Sequence, residues 1–436
     1  MEIFMPKEVK FLIDKIYENG YEAFMVGGCV RDSILNMTPN DYDITTNAKP
    51  SNIIHIFKDY KILDTGIKHG TVSIILNDNI YEITTYRIEG EYENNRRPKN
   101  VEFTSNLEDD LRRRDFTINA IAYNKKFGIV DIFNGIKDIQ DEIIKTVGNP
   151  DERFEEDGLR MIRAIRFSSK LGFNIDKNTL SSIYKNSYII KKISLERIND
   201  EFTKTLTSDN PQNIILLYKT KIFENLGIYC KLNGYEYNEL ERKLNVLKYC
   251  ENNLLDRLIM LEYIISKQIL KNIDSSKRYS YYCEKIKKEN IINNLRYSNK
   301  VTNYCNEVME YMLYDIEKVD KVTIKRQLSK IGYDKLNKIF HLKLIYYTFF
   351  NNKNQIEILK VCINNLDEIK NNKECYTIKD LQIDGKILIN LGYKGKEIGK
   401  ILEFLLDEVI KNPLINHKDI LINLLKLQVI YDINID

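Results

Sequence analysis

The chain has 436 residues, 43% of them hydrophobic, and a formal net charge of only +3. That length asks for two to four domains, and the apolar share excludes an intrinsically disordered chain. No run of about 18 apolar residues occurs, so no membrane span is expected. The 7 cysteines include no Cys-x-x-Cys pair and read as reduced core thiols of a cytoplasmic protein. The N-terminal residues lack a basic region followed by an apolar core, so secretion is not expected. Four dispersed histidines argue against a histidine-based metal site.

Lys7 to Glu18 has Val9, Leu12, Ile13 and Ile16 on one stripe, which predicts an amphipathic helix. Tyr21 to Val26 reads as a strand, Val30 to Leu35 as a short helix, and 41–45 as the next strand. Thr71 to Leu76 and Ile80 to Arg87 read as a strand pair joined by a turn at Asn77-Asp78-Asn79. Glu89 to Lys99 is polar, contains Gly90 and Pro98, and reads as a loop. After Asn149-Pro150 the pattern is almost wholly helical. The expected architecture is α+β. A mixed-sheet head spans 1–148, followed by a helical neck at 149–206, body at 207–330 and tail at 331–436.

The first chemical motif is Val26-Gly27-Gly28-Cys29-Val30-Arg31-Asp32. Paired glycines let backbone approach a phosphate closely, and Arg31 offers a fork of donors to it. Asp41 and Asp43 follow in Asn40-Asp41-Tyr42-Asp43. On a strand their side chains share a face, and two hard oxygen ligands on one point suit magnesium. In Asp110-Leu111-Arg112-Arg113-Arg114-Asp115-Phe116, three arginines abut an apolar run that must enter a core. Arg114 is thereby held where it can meet a triphosphate. Asp131, Gly135 and Asp138 read as a turn and helix start.

The segment Glu156-Asp157-Gly158-Leu159-Arg160-Met161-Ile162-Arg163-Ala164-Ile165-Arg166-Phe167 reads as one helix with Gly158 in its interior. Asp157 and Arg160 then lie on one face. They form either a surface ion pair or a reader of base edges. In the second case the carboxylate accepts from the amino group of cytosine or adenine, and the guanidinium donates to the ring nitrogen beside it. Uracil and guanine present the reverse pattern and leave buried groups unpaired. Arg163 and Arg166 continue at helical spacing, where they either reach a triphosphate or brace the pair. The Lys-, Asn-, Ile- and Tyr-rich C-terminal half reads either as an RNA-contacting face or as solvated helix surface.

Taken together, strand, Gly-Gly, helix and Asp-x-Asp strand resemble the nucleotidyltransferase domain shared with DNA polymerase β. The form Gly-Gly-x-Val-Arg-Asp resembles class II transfer RNA nucleotidyltransferases, the CCA-adding enzymes, and the related bacterial poly(A) polymerases. The resemblance covers residues 20–205. It implies template-independent addition of C, C and A to the 3′ end of tRNA from CTP and ATP. It further implies two Mg2+ ions held by Asp41 and Asp43 for in-line attack of the RNA 3′-hydroxyl on the α-phosphate, Glu82 as third carboxylate, and Gly28, Arg31 and Arg114 on the triphosphate. Asp157 and Arg160 would read the base, with Arg163 and Arg166 beside them. Ser194-Leu195-Glu196-Arg197-Ile198-Asn199-Asp200-Glu201-Phe202 resembles the motif that braces the neck. Residues 384–399 resemble the family's tail and imply tRNA binding there. No protein partner and no membrane are implied. Gly66-Ile67-Lys68-His69-Gly70-Thr71, which follows Asp64-Thr65, resembles the CCA-type strand rather than the poly(A) type. The loop around Arg97 resembles the one that permits the switch from C to A. Addition of A alone, of CC alone, of poly(A), or a catalytically dead RNA-binding module remain the alternatives.

Overall fold

The computed structural model describes residues 3–63, 66–89, 92–93, 97–98, 101–228, 234–271, 273–274, 277–282, 284, 287–288, 290–314, 316 and 320–430. Two compact units are present: Met1–Lys248 with Ile286–Tyr297, and Tyr249–Lys285 with Ser298–Asp436.

The first unit opens with α1 (Lys7–Glu18), whose predicted stripe of Val9, Leu12, Ile13 and Ile16 is buried. β1 (Ala23–Val26) is buried at all four positions. Then come α2 (Gly28–Ile34), β2 (Ile44–Thr46), α3 (Pro50–Ile56), β3 (Lys61–Leu63), β4 (Thr71–Leu76) and β5 (Asn79–Thr85). Asn77 and Asp78, both at positive φ, make the tight turn between β4 and β5. Gly66 to Gly70 forms a short 3₁₀ turn into β4; Asp64 and Thr65 lie outside the described residues.

The segment expected to be loop is partly paired. β6 (Arg87–Glu89) pairs with β9 (Val101–Phe103), and β7 (Tyr92–Glu93) with β8 (Arg97–Pro98). Positions 90–91, 94–96 and 99 of that loop lie outside the described residues. After α4 (Leu107–Arg112), β10 (Ala122–Asn124) and β11 (Gly128–Val130) complete the sheet. Its order is β11-β10-β1-β2-β5-β4-β3. β1 and β2 are antiparallel, whereas β2 and β5 are parallel. Phe24, Val26, Tyr86, Leu111 and Ala122 fill the core on one side of it.

β2 begins at Ile44 rather than at Asp41. The ladder to β5 starts only where Ile44 meets Ile83. Asp43 is nonetheless tied to the sheet, because the Val26 N–H donates to its carbonyl at 3.0 Å. The catalytic candidates therefore sit on the strand's entry rather than within it.

α5 (Gly135–Gln140) and β12 (Ile143–Ile144) lead into α6 (Pro150–Glu156) and α7 (Leu159–Leu171). The expected single helix is broken. Asp157 is extended, with φ −140° and ψ 104°, and Gly158 is the N-cap of α7 rather than an interior residue. A Cβ on Gly158 would stand 2.8 Å from Ile189 Cγ2. That close approach explains a glycine here better than any helical preference does.

β13 (Asn174–Ile175) pairs with β12. α8 (Lys177–Asn186), α9 (Leu195–Leu206), α10 (Ile215–Lys219), α11 (Ile222–Asn225) and α12 (Gly234–Leu244) follow. The chain then supplies α13 (Leu254–Leu270) and α14 (Arg278–Tyr281) to the second unit before α15 (Ile291–Asn294).

The second unit continues with α16 (Asn299–Met312), α17 (Lys321–Ile331), α18 (Tyr333–Phe349), α19 (Lys353–Asn371), α20 (Gly385–Asn390), α21 (Lys396–Lys411) and α22 (Lys418–Ile430). Leu388, Ile401, Leu405, Val409 and Leu421 form one apolar cluster. Asp384 caps α20 by accepting the Ile387 N–H at 2.9 Å. Lys325 is buried and paired with Glu374 at 2.7 Å. Among the described residues no helix is long and apolar enough to cross a membrane. Cys29, Cys250, Cys305, Cys362 and Cys375 are buried free thiols.

Gly158→Ala is expected to lower stability by about 1–3 kcal/mol through overpacking against Ile189, despite alanine's higher helix propensity. A double-mutant cycle by denaturant unfolding checks this. In an Ile189→Ala background the same change should cost clearly less.

Candidate active site

Gly27 leaves β1 at φ 80° and ψ −130°, a conformation that side chains rarely adopt. Its N–H donates to the Ile121 carbonyl at 3.1 Å. A Cβ at this position would stand 3.0 Å from Arg114 Nη1. Absence of a side chain is thus what lets a guanidinium reach the turn. Gly28 begins α2, and the place of its missing Cβ is 3.6 Å from Arg31 Nη2. Arg31 is 3% exposed. It pairs with Asp32 at 2.6 Å and donates to Asn119. The structure therefore sets Arg31 inside the cradle, already held by two partners.

Across the turn stand the carboxylates. Ile44 lies opposite Ile83 in the parallel ladder, so Asp43 is level with Glu82. Desolvation pushes Asp43 up to about 6; Arg114 opposes the shift, and Asp41 and Glu82 add to it by repulsion. Asp41, Asp43 and Glu82 therefore share one electrostatic neighbourhood, and all three keep exposed surface. Beside Asp43, burial drives the Cys29 thiol up to about 12, which makes it inert.

Arg114 joins the two halves of this site. Its Nη2 is 3.3 Å from Asp110. Asp110 is fully buried, pairs with Arg113 at 2.7 Å and accepts from Thr45 at 3.1 Å. Burial alone would raise Asp110, but Arg113 and Arg114 hold it below the usual carboxylate range. Arg114 Nε is buried without a hydrogen-bond partner. Such a donor costs about 1–3 kcal/mol until something accepts from it.

Among the described residues no three His, Cys, Asp or Glu side chains close into a ready-made metal cage. The donor set still suits a hard divalent cation. Magnesium takes one or two carboxylates and completes its shell with water and substrate phosphate.

The neck arginines are matched to carboxylates. Arg163 reaches Asp115 at 2.7 Å and Glu201 at 3.7 Å. Arg166 pairs with Glu201. Burial would raise Asp115, yet Arg163 and the Asn119 hydrogen bond bring it down to about 2. Asp157 and Arg160, expected as partners on one helix face, take separate partners instead. Asp157 pairs with Arg197 at 2.8 Å and accepts the Leu159 N–H at 3.0 Å. Arg160 pairs with Glu156 and donates to the Arg153 and Arg113 carbonyls at 3.1 and 3.0 Å. The cause is the break at Asp157, which turns its carboxylate toward α9.

Asp110, Asp115, Arg197 and Glu201 were not foreseen as parts of the site. Arg197 and Glu201 are four residues apart on α9 and so share a face. That spacing, set against the need of buried arginines for anions, was the available signal.

Three family models match in order along the chain: a poly A polymerase head domain over residues 23–145, a probable RNA- and SrmB-binding site of polymerase A over 172–227, and a putative tRNA nucleotidyltransferase domain 2 over 279–425. The CCA-adding enzyme of Ligilactobacillus salivarius is 36% identical over 424 residues, covering 94% of each chain. The chain belongs to the CCA-adding enzyme family. The CCA-adding enzyme of Enterococcus faecalis is 32% identical over 97% of this chain and 96% of its own. Among solved structures, the Bacillus stearothermophilus CCA-adding enzyme in complex with CTP superposes with a TM-score of 0.72 at 27% identity. That match covers 98% of this chain and 99% of the other. The α+β architecture of head and helices is that of this family.

Asp115→Asn is expected to cost about 2–3 kcal/mol by leaving Arg163 without its nearest carboxylate. Because the folded pKa of Asp115 lies below its ordinary value, the ionised pair stabilises fully above about pH 4. That contribution is lost as pH falls toward about 2. Unfolding midpoints of the two proteins should therefore converge on acidification, and a gap independent of pH would contradict the assignment.

Proposed function

We propose that this chain adds C, C and A to the 3′ end of tRNA from CTP and ATP, without a nucleic-acid template, releasing pyrophosphate. What carries the reading is the meeting of Gly27, Arg114 and Asp43 in a chain that aligns with CCA-adding enzymes over almost its whole length.

In this proposal Asp41 and Asp43 hold Mg2+. When bound, the metal offsets triphosphate charge and favours ionisation of the attacking hydroxyl. The RNA 3′-oxygen forms a bond to the α-phosphorus while the bond to the departing pyrophosphate breaks. Glu82, level with Asp43, orients that hydroxyl and receives its proton. The Gly28 amide, Arg31 and Arg114 bind the triphosphate. Arg163 and Arg166 add positive charge from the neck. Asp157 accepts from the amino group of cytosine or adenine, and Arg160 donates to the adjacent ring nitrogen. Arg197 and Glu156 fix those two side chains beforehand, which lowers the ordering cost of reading a base. The head is assigned to 1–148 and the neck to 149–206. The body at 207–330 supports them, and the tail at 331–436 is assigned to tRNA. The dispersed thiols favour a cytoplasmic setting.

Asp41→Ala should reduce incorporation of labelled CTP and ATP into 3′-trimmed tRNA by at least about a thousand-fold. Removing Mg2+ with a chelator should abolish wild-type addition, and added Mg2+ should restore it. Full activity of the variant would overturn the metal assignment. A long A tail, C alone, or A alone on a CC end would each replace CCA addition with the corresponding relative's activity. Asp157→Ala should raise UTP and GTP misincorporation at least about ten-fold relative to CTP and ATP. Unchanged selectivity would remove Asp157 from base reading.

A further inference from the structure

One aromatic ring on α7 gathers three of the site's arginines. The guanidinium carbon of Arg166 stands 3.9 Å from the Phe167 ring centroid, that of Arg31 5.0 Å, and that of Arg163 5.5 Å. The ring is 5% exposed. It packs edge-on to Phe116 with centroids 5.6 Å apart. Arg31 comes from the head motif and the other two from the neck, so the ring is the element that all three share.

Charge around this ring is unevenly matched. Arg31 and Lys170 both pair with Asp32, at 2.6 and 3.3 Å. Asp115 takes Arg163, and Glu201 takes Arg166. Four cations thus share three carboxylates, leaving positive charge for an anion. Like charges this close repel, and Arg163 adds to the effect of burial in lowering the Arg166 pKa. The negative face of an aromatic ring offsets such repulsion and attracts each guanidinium. An aliphatic side chain of similar volume would fill the space without doing so.

We propose that Phe167 is a positioning residue for triphosphate binding, its ring holding Arg31, Arg163 and Arg166 as one anion-binding array. The proposal rests on the reading of those arginines as triphosphate ligands. It deepens that reading by assigning their arrangement to a residue that carries no charge.

The test is steady-state addition to trimmed tRNA, with KM for CTP and ATP and the inhibition constant of pyrophosphate as readouts. Phe167→Leu should raise both about ten-fold, the effect expected from losing favourable contacts to more than one cation. Phe167→Tyr, which keeps the ring, should stay within about three-fold of wild type. Discrimination of CTP against UTP should not change, because Asp157 and Arg160 have other partners. Loss of packing is separated by replacing Phe167 with phenylalanines carrying one to five ring fluorines. These nearly preserve shape while withdrawing charge from the ring face, and KM should climb stepwise with fluorine number.

A KM and pyrophosphate inhibition indifferent to fluorination would overturn the proposal, as would an effect confined to base selection. Arg163→Ala and Arg166→Ala serve as the control on the underlying reading. If neither changes KM or pyrophosphate inhibition, the triphosphate assignment itself fails. If they do and the fluorinated series does not, only the role of the ring fails.

Discussion

Burying guanidinium groups is the constraint on which the site depends. Arg31 and Arg160 are buried and Arg163 and Arg166 partly buried between head and neck, where an unmatched charge is expensive. Each is answered by a carboxylate: Asp32, Glu156, Asp115 and Glu201. The pair between Asp115 and Arg163 matters most, because its partners come from the head and from α7. It fixes the neck helix against the segment that also carries Arg114. The cluster of arginines is thereby held together by the protein's own anions.

The same logic runs inward from Arg114. Asp110 is fully buried yet ionised, because Arg113 and Arg114 compensate it. Thr45, two residues after Asp43, donates to the same carboxylate. A single hydrogen-bonded chain therefore links the strand that follows Asp41 and Asp43 to the arginine beside the glycine turn. Gly27 adjoins it, where an added Cβ would stand 3.0 Å from Arg114 Nη1. Thr45, Asp110 and Arg114 thus form one polar network that runs from the strand after Asp43 to the glycine turn.

Much of the head was legible in the sequence. α1 begins and ends where its apolar stripe predicts, and β4 matches its predicted bounds. Local periodicity and turn residues decide such elements. β2 starts three residues later than its pattern suggests, because pairing with β5 sets its beginning. In the neck, the spacing of Asp157 and Arg160 suggested one continuous helix. Contact of Gly158 with Ile189, thirty-one residues later in the chain, is invisible to helical periodicity, and it accompanies the break.

The sequence by itself determined the chemistry on offer: two acids one residue apart, a glycine pair, and arginines at helical spacing. Those features are local, and residue type with spacing suffices to state them. Only the tertiary structure decided which groups meet. It turned Asp157 to Arg197, gave Arg160 to Glu156, brought Glu82 level with Asp43, and set three arginines around Phe167. Such partnerships join residues as far apart as Arg31 and Phe167, 136 positions along the chain. Burial, which makes an unpaired charge expensive, is a property of the packed chain and not of any one segment.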